Sequence, residues 1–355
     1  MRVAIWGSYK HGNFGDDLMA VLFARRVREA GSSPIVLQLD PELAARLDLH
    51  VAGSVPELLD EADLCVMGGG AMLEAGSLRW AARGYSRDLE RDLLALWRCA
   101  RGRVPVHASS IGGSGATSPL RLSPAKAVLL RSGVVGASTV RLPEDVLLLR
   151  RLGVEATYHP DVVLGASRSF AGERTRRDDR FRVGVNLNVR TGSGLTRRLL
   201  DWAAADPAVE LVFLHTHLPG HAAGYEVLPD RSDRVAHHRY RDPDETTAAL
   251  AELDVLVSSK LHVGVTALSY DVPFVSYAGK AKSVAFLRSI GADHLRFRSG
   301  EDERVVSLLE RALLEVTASG GPARSLLPGE QLRDQRARSH GHTDAVDELL
   351  GLRRA

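Results

Sequence analysis

Val3-Ala4-Ile5-Trp6-Gly7, followed after a short gap by His11-Gly12-Asn13-Phe14-Gly15-Asp16-Asp17, is the stretch on which the architecture turns. An apolar, partly β-branched run that stops at glycine reads as a buried strand near 2–7. From Asp16 to Ala30 the apolar residues fall at 18, 19, 22, 23 and 27, a helical stripe that Gly31 stops. Strand, glycine-bearing loop and helix in that order open a parallel sheet flanked by helices. The alternation continues with strands expected near 34–39, 62–67, 104–109 and 134–138. A helix from Leu142 to Leu152 then precedes a strand-like piece ending in His159-Pro160-Asp161.

The polar, arginine-rich stretch Ser167 to Arg180 interrupts this pattern and reads as a surface linker. Beyond it the alternation restarts, with strands expected at Val183–Leu187, Val209–His215, Asp254–Ser258 and Pro273–Tyr277. The expected fold class is therefore α/β, two Rossmann-like domains facing a cleft, with ligand loops at the carboxyl ends of both sheets. Residues 1–166 form the first domain and 181–325 the second. Residues 326–355 are a tail whose last helix, Asp344 to Arg354, is free to pack back on the first domain.

Bulk properties narrow the class of function. A chain of 355 residues suits two domains of roughly 150 each. Apolar residues at 45% and charged residues at 25% describe a folded globular protein. The formal charge of +2 gives no global field for nucleic acid or an anionic membrane. The two cysteines, Cys65 and Cys99, show no staple-like spacing, as expected of a reducing compartment. There is no signal-peptide pattern at the start and no apolar run of membrane-spanning length, so the cytoplasm is the expected address.

Chemistry-bearing residues cluster where expected strands meet helices. Gly12 and Gly15 allow close backbone approach ahead of a helix N-terminus, itself a site suited to anions. Gly68-Gly69-Gly70 follow the third expected strand and lead to Glu74; three glycines there are expected where a ligand or loop comes near the backbone. Ile111-Gly112-Gly113-Ser114-Gly115 is a comparable loop, without the lysine of a phosphate-binding P-loop. In the second half, Ser258-Ser259-Lys260-Leu261-His262 ends a strand and opens a helix, Val263 to Tyr270. A cation and a histidine at such a junction suit an anion pocket with a proton donor. Alternation on a strand would put His215 and His217 on one face, but no nearby Cys, Asp or Glu completes a metal set, so no metal is expected. His237 and His238, neighbours on a strand, would point to opposite faces.

In this order the pieces resemble the polysaccharide pyruvyl transferase family. Gly12-Asn13-Phe14-Gly15-Asp16 matches its G-N-x-G-D loop, and Gly68 to Gly70 its glycine-rich strand end. Val140-Arg141, the following helix and Pro160-Asp161 match its mid-chain pattern. Lys260-Leu261-His262, Pro273 and Tyr277 to Lys280 match its R-L-H junction and Tyr-x-x-Lys. The resemblance runs from residue 1 to about 290. Two positions depart: Lys260 stands for the arginine, and Leu142 for the aspartate usual after the mid-chain arginine. Lysine keeps the charge and loses the planar fork that grips carboxylate or phosphate.

The resemblance implies transfer of a pyruvyl group from phosphoenolpyruvate to a hydroxylated, sugar-like acceptor, with no resident cofactor. The first domain would take the acceptor and the second the donor, in a GT-B-like arrangement. Arg141 and Lys260 are the leading cations for the donor, with Arg190 and Lys280 behind them. His262 is the expected general acid and Asp16 the expected base. Asn13, Gly15, Gly69, Gly70, Glu74 and Leu261 complete the expected binding set. Two rivals share the architecture: a glycosyltransferase using a nucleotide sugar, and a binding homologue with altered catalysis. Acceptor identity, ketal regiochemistry, oligomeric state and peripheral membrane association are not legible in the sequence.

Overall fold

The computed structural model describes residues 1–74, 84–113, 117–172, 180–221, 226–320 and 323–352. Ser114 and Gly115 of the second glycine loop, and residues 173–179 of the arginine-rich stretch, lie outside the described residues. The chain divides into two units. The first comprises Met1–Gly12, Asp16–Val162 and Arg338–Ala355; the second comprises Asn13–Gly15 and Val163–Ala337.

The first unit is built on β1 (Arg2–Trp6), β2 (Ser33–Leu37), β3 (His50–Ala52), β4 (Leu64–Gly68), β5 (Val106–Ile111), β6 (Val135–Val140) and β7 (Ala156–Tyr158). Their order is β3-β2-β1-β4-β5-β6-β7 and every pairing is parallel. β4 and β5 are buried along their whole length, which is why they read as apolar or small-residue runs rather than alternating ones. Trp6, Leu37, Cys65, Met67 and Val106 share one core cluster with Leu58, Leu93, Leu129 and Leu149 from the flanking helices. Order reverses between β1 and β4, so the loops after Trp6 and after Gly68 flank the switch point where such sheets take ligands.

The second unit carries β8 (Phe181–Asn186), β9 (Val209–Leu214), β10 (Val235–His238), β11 (Val255–Ser258), β12 (Phe274–Tyr277) and β13 (Arg296–Phe297). The sheet is again parallel, in the order β10-β9-β8-β11-β12-β13. Its switch point lies between β8 and β11, at Asn186 and Ser258. No helix among the described residues is long and apolar enough to cross a membrane.

Four readings change. Strands β3 and β13 were not legible: they are three and two residues long, too short to show a period, whereas β10 is the strand on which His237 and His238 are neighbours. The linker starts at the surface with Ser167 and Arg168 but does not stay there, because Phe170 is buried and its carbonyl accepts the Tyr270 hydroxyl at 2.9 Å within the second unit. The tail forms two helices rather than one. Glu330–Ser339 has almost no apolar stripe; among its residues Arg336 binds Asp271 and the carbonyl of Leu268. The last helix runs Gly341–Leu349 rather than starting at Asp344, and Gly351 follows its end at φ 75°; Arg353 and Arg354 of the expected helix lie outside the described residues. It packs on β5 and β6 of the first unit.

Candidate active site

Each unit gathers polar side chains at the carboxyl ends of its strands. In the second unit the junction after β11 is tied down on both sides. The Ser258 hydroxyl donates to Asn186 Oδ1 at 3.3 Å and accepts the Lys260 amide at 3.0 Å. The Ser259 hydroxyl donates to the carbonyl of Tyr277, at the end of β12, at 2.9 Å. The helix Leu261–Ser269 starts from Lys260, whose side chain has no acceptor with which to cap it. That side chain turns to the loop after β9 instead. Its Nζ donates to Glu226 Oε1 at 2.7 Å and to the Thr216 hydroxyl, and lies 3.4 Å from His217 Nδ1.

Glu226 is nearly buried, with 9% of its side chain exposed. It accepts from Asn186 Nδ2 at 3.0 Å and from the amide and hydroxyl of Thr216. Burial pushes its carboxyl up, but the Lys260 charge and these hydrogen bonds outweigh burial and hold it below the ordinary range. Burial likewise pushes the Lys260 ammonium down; Glu226 offsets part of that, and the charge of Lys280 adds to it.

The G-N-x-G-D loop reaches the same place. Asn13 forms a β-bridge with His217, and the Phe14 amide donates to the carbonyl of Thr216 at 2.9 Å. The Phe14 ring, fully buried, meets Tyr240 edge-on at 5.7 Å. Gly15 lies against His262: a β-carbon added there would stand 2.4 Å from His262 Nδ1 and 2.7 Å from its Cβ. The structure thus brings Asn13, Gly15, Lys260 and His262 together. Leu261 opens the helix beside them and is half-buried. Arg190 and Lys280 are exposed at the starts of the helices Val189–Ala205 and Ala281–Ser289. Tyr277 turns inward, its hydroxyl donating to Asp302 and accepting the Gly300 amide at 3.1 Å.

In the first unit Arg141 and Asp161 form an ion pair at 3.1 Å, their side chains 6% and 4% exposed. Arg141 runs over Gly112, where a β-carbon would stand 2.5 Å from its Nε. Gly113 donates its amide to the buried carboxylate of Asp145 at 3.0 Å. Leu142, in the N-cap position of the helix Pro143–Arg150, makes no side-chain cap. His342, from the last helix, sits beneath this pair: its Nδ1 meets the Thr139 hydroxyl at 2.7 Å and its Nε2 the carbonyl of His159 at 3.2 Å. Complete burial pushes the His342 imidazole down to about 3, so it is neutral at working pH.

The glycine run after β4 has a packing reason. A β-carbon on Gly68 would strike Phe23 and the Tyr9 hydroxyl, and one on Gly69 would strike Met19 at 2.4 Å. The first two glycines therefore let the helix Phe14–Glu29 and Tyr9 close on the strand end, whereas Gly70, at φ 81°, faces open space. Glu74 is half-buried and its carbonyl accepts Lys126 Nζ at 3.1 Å. Asp16 is half-buried in the first helical turn, beside a fully buried Asp17.

The histidines do not share a strand face as expected, because β9 ends at Leu214 and His217 lies beyond it. His215 Nε2 instead faces His237 Nδ1 at 3.4 Å, while His238 turns the other way to the Thr246 hydroxyl. Among the described residues no group of three or more His, Cys, Asp or Glu could hold a metal ion. Sequence reading missed Glu226, Thr216, Asp145 and His342. Glu226 sits in a polar stretch with no period or motif to single it out.

Comparison with known proteins decides the family, because the sequence model of polysaccharide pyruvyl transferases matches residues 13–280. The chain belongs to the polysaccharide pyruvyl transferase family. The matched range begins at the G-N-x-G-D loop and ends at Lys280, so it encloses the whole cluster around Lys260 and His262. No curated protein matches the chain by sequence. Among solved structures, Anabaena Alr3699/HepE in complex with UDP-glucose is similar at 12% identity and a TM-score of 0.58, over 99% of each chain. MnaA of S. aureus, solved with UDP, is similar at 11% identity and TM-score 0.59, over 99% of this chain and 97% of its own. The UDP-GlcNAc 2-epimerase of Methanocaldococcus jannaschii is similar at 11% and 0.57, over 98% and 99%. These likenesses establish the GT-B-like fold of two Rossmann-like units.

Proposed function

We propose that this transferase moves a pyruvyl group from phosphoenolpyruvate to two hydroxyls of a sugar-like acceptor, forming a cyclic ketal and releasing phosphate. The observation that carries the reading is the packing of Gly15 on His262, which joins the G-N-x-G-D loop to the Lys-Leu-His junction. In the proposed reaction His262 gives a proton to the methylene carbon of the enol, which becomes the methyl group. The adjoining carbon, now oxocarbenium-like, takes the first acceptor hydroxyl, whose proton passes to a base, for which Asp16 is the candidate. The bond to the phosphate oxygen breaks, phosphate leaves, and a second hydroxyl adds and loses its proton to close the ketal. Lys260 and Arg141 serve the donor's anionic groups in this reading, although Glu226 and Asp161 already balance their charges. Arg190 and Lys280 would add charge at helix starts, where backbone N–H groups also favour anions.

The test is direct. Phosphoenolpyruvate should raise the melting temperature, since a ligand of the native state stabilises it. Incubation with phosphoenolpyruvate and a panel of sugar acceptors should release phosphate and add a ketal-linked pyruvyl group by mass spectrometry. The second reading, a nucleotide-sugar enzyme, is favoured by the UDP-glucose bound to the similar HepE structure. Stabilisation by UDP-sugars with glycosyl transfer, and none by phosphoenolpyruvate, would install it instead.

A further inference from the structure

Lys260 stands where the family's motif has arginine, and its surroundings supply a physical reason. An ammonium has three N–H donors set tetrahedrally, whereas a guanidinium offers a planar fork. Three acceptors converge on Lys260 Nζ: Glu226 Oε1 at 2.7 Å, the Thr216 hydroxyl, and His217 Nδ1 at 3.4 Å. The histidine is the weakest of the three, at the outer limit of a hydrogen bond. Glu226 is the firmest, because Asn186 and both donors of Thr216 hold it from other sides. Thr216 then gives its carbonyl to the Phe14 amide. One carboxylate therefore links the ends of β8, β9 and β11 to the loop that seats Gly15 on His262.

We propose that Glu226 is a positioning residue for Lys260: it anchors the ammonium at the β8–β11 switch point and leaves the N–H now spent on His217 for an oxygen of an anionic substrate. The substrate part rests on the reading that Lys260 meets the donor's carboxylate or phosphate. An incoming oxygen then displaces the weakest of the three partners and leaves the ion pair in place. The charged and titratable groups facing Lys260 are Glu226, His217 and Lys280. Of these only the carboxylate favours the charged amine, and burial opposes it. Without the carboxylate, Lys260 should lose its proton at lower pH.

The experiment uses the full chain without substrate and sulfosuccinimidyl acetate as probe, since only the neutral amine reacts. Acetylation of Lys260, mapped by mass spectrometry against pH, is compared in the wild type, Glu226→Gln and Glu226→Asp. The Gln variant should titrate on the order of one pH unit lower, with Asp in between. Identical titration of Gln and wild type overturns the proposal. In a second arm, the KM for phosphoenolpyruvate in the Gln variant should climb at the pH where labelling shows Lys260 losing its proton, and should change more than kcat. A fall in kcat at constant KM would overturn the positioning role. If the wild type turns over no phosphoenolpyruvate, the pyruvyl reading fails, and the labelling alone still decides whether Glu226 governs Lys260.

Discussion

Gly15 leaves space that the His262 ring occupies: a β-carbon at residue 15 would stand 2.4 Å from Nδ1 of the histidine. The glycine of one motif is thus defined by the side chain of another, far away in the chain. Gly15→Ala should force the His262 ring aside, an overpacking that costs about 1–3 kcal/mol. The expected outcome is a lower melting temperature together with a loss of turnover larger than the loss of phosphoenolpyruvate binding. A variant as active and as stable as the wild type would show that the contact is incidental.

Lys260→Arg restores the family's residue and should nonetheless weaken the site. A planar guanidinium cannot satisfy Glu226, Thr216 and His217 as three convergent acceptors, and it carries more bulk into a pocket closed by a nearly buried carboxylate. The KM for phosphoenolpyruvate should rise severalfold. An unchanged or lower KM would mean that the lysine is not fitted to its partners.

What was legible in the sequence follows from range. A strand such as β4 announces itself because burial on both faces selects apolar or small residues over its five positions. The junction Lys260-Leu261-His262 was visible because three candidate site residues lie in a row at a strand's end. Glu226 and His342 were not. Each works through partners distant in sequence, Lys260 for the one and Thr139 for the other, and local pattern carries no mark of such pairing. The glycines at 68 and 69 were legible as a place where a ligand or a loop comes near the backbone, but not which: Tyr9, Met19 and Phe23 take up the space a β-carbon would need.

Arg141→Ala should destabilise the first unit as well as any donor contact. The Arg141–Asp161 pair is nearly buried, and removing one partner of such a pair costs about 3–5 kcal/mol because the other charge stays behind. Denaturant unfolding should show the loss without phosphoenolpyruvate present. Asp161→Asn, which leaves the guanidinium with a neutral partner, should be milder. An Arg141→Ala protein with wild-type stability would mean that the pair does not hold the ends of β6 and β7.

Acid should unfold the first unit partly through His342. Its folded-state value of about 3 lies below the ordinary 6.5, so between those values the unfolded chain takes up a proton that the folded chain refuses. The stability contributed by the neutral imidazole is present above about 6.5 and is lost as pH falls toward 3. His107, pushed down to about 4 by burial, acts in the same direction. Urea midpoints from pH 7 to pH 4 should fall less steeply in His342→Gln than in the wild type. Equal slopes would remove His342 as a source of acid sensitivity.

His262 is expected to be the residue whose loss most damages turnover. The enol carbon must gain a proton before a hydroxyl can add, and an imidazole, the side chain whose unperturbed pKa lies near neutrality, can supply it. Its ring is fixed by the turn that Ser258 and Ser259 tie to β8 and β12, and by Gly15 pressed against it. A positioned general acid contributes roughly 10²–10⁴-fold in rate, so His262→Asn should lose about that much kcat. Asparagine is smaller than the imidazole and keeps hydrogen-bonding capacity, so the seat beside Gly15 stays uncrowded and phosphoenolpyruvate binding should survive better than catalysis. A ring that only contacts phosphate would give the opposite split, with KM raised and kcat nearly normal at saturation. Steady-state kinetics with saturating donor and a known acceptor separate the two, and an unchanged kcat would pass the acid role to Asp16, Asp17 or a bound water.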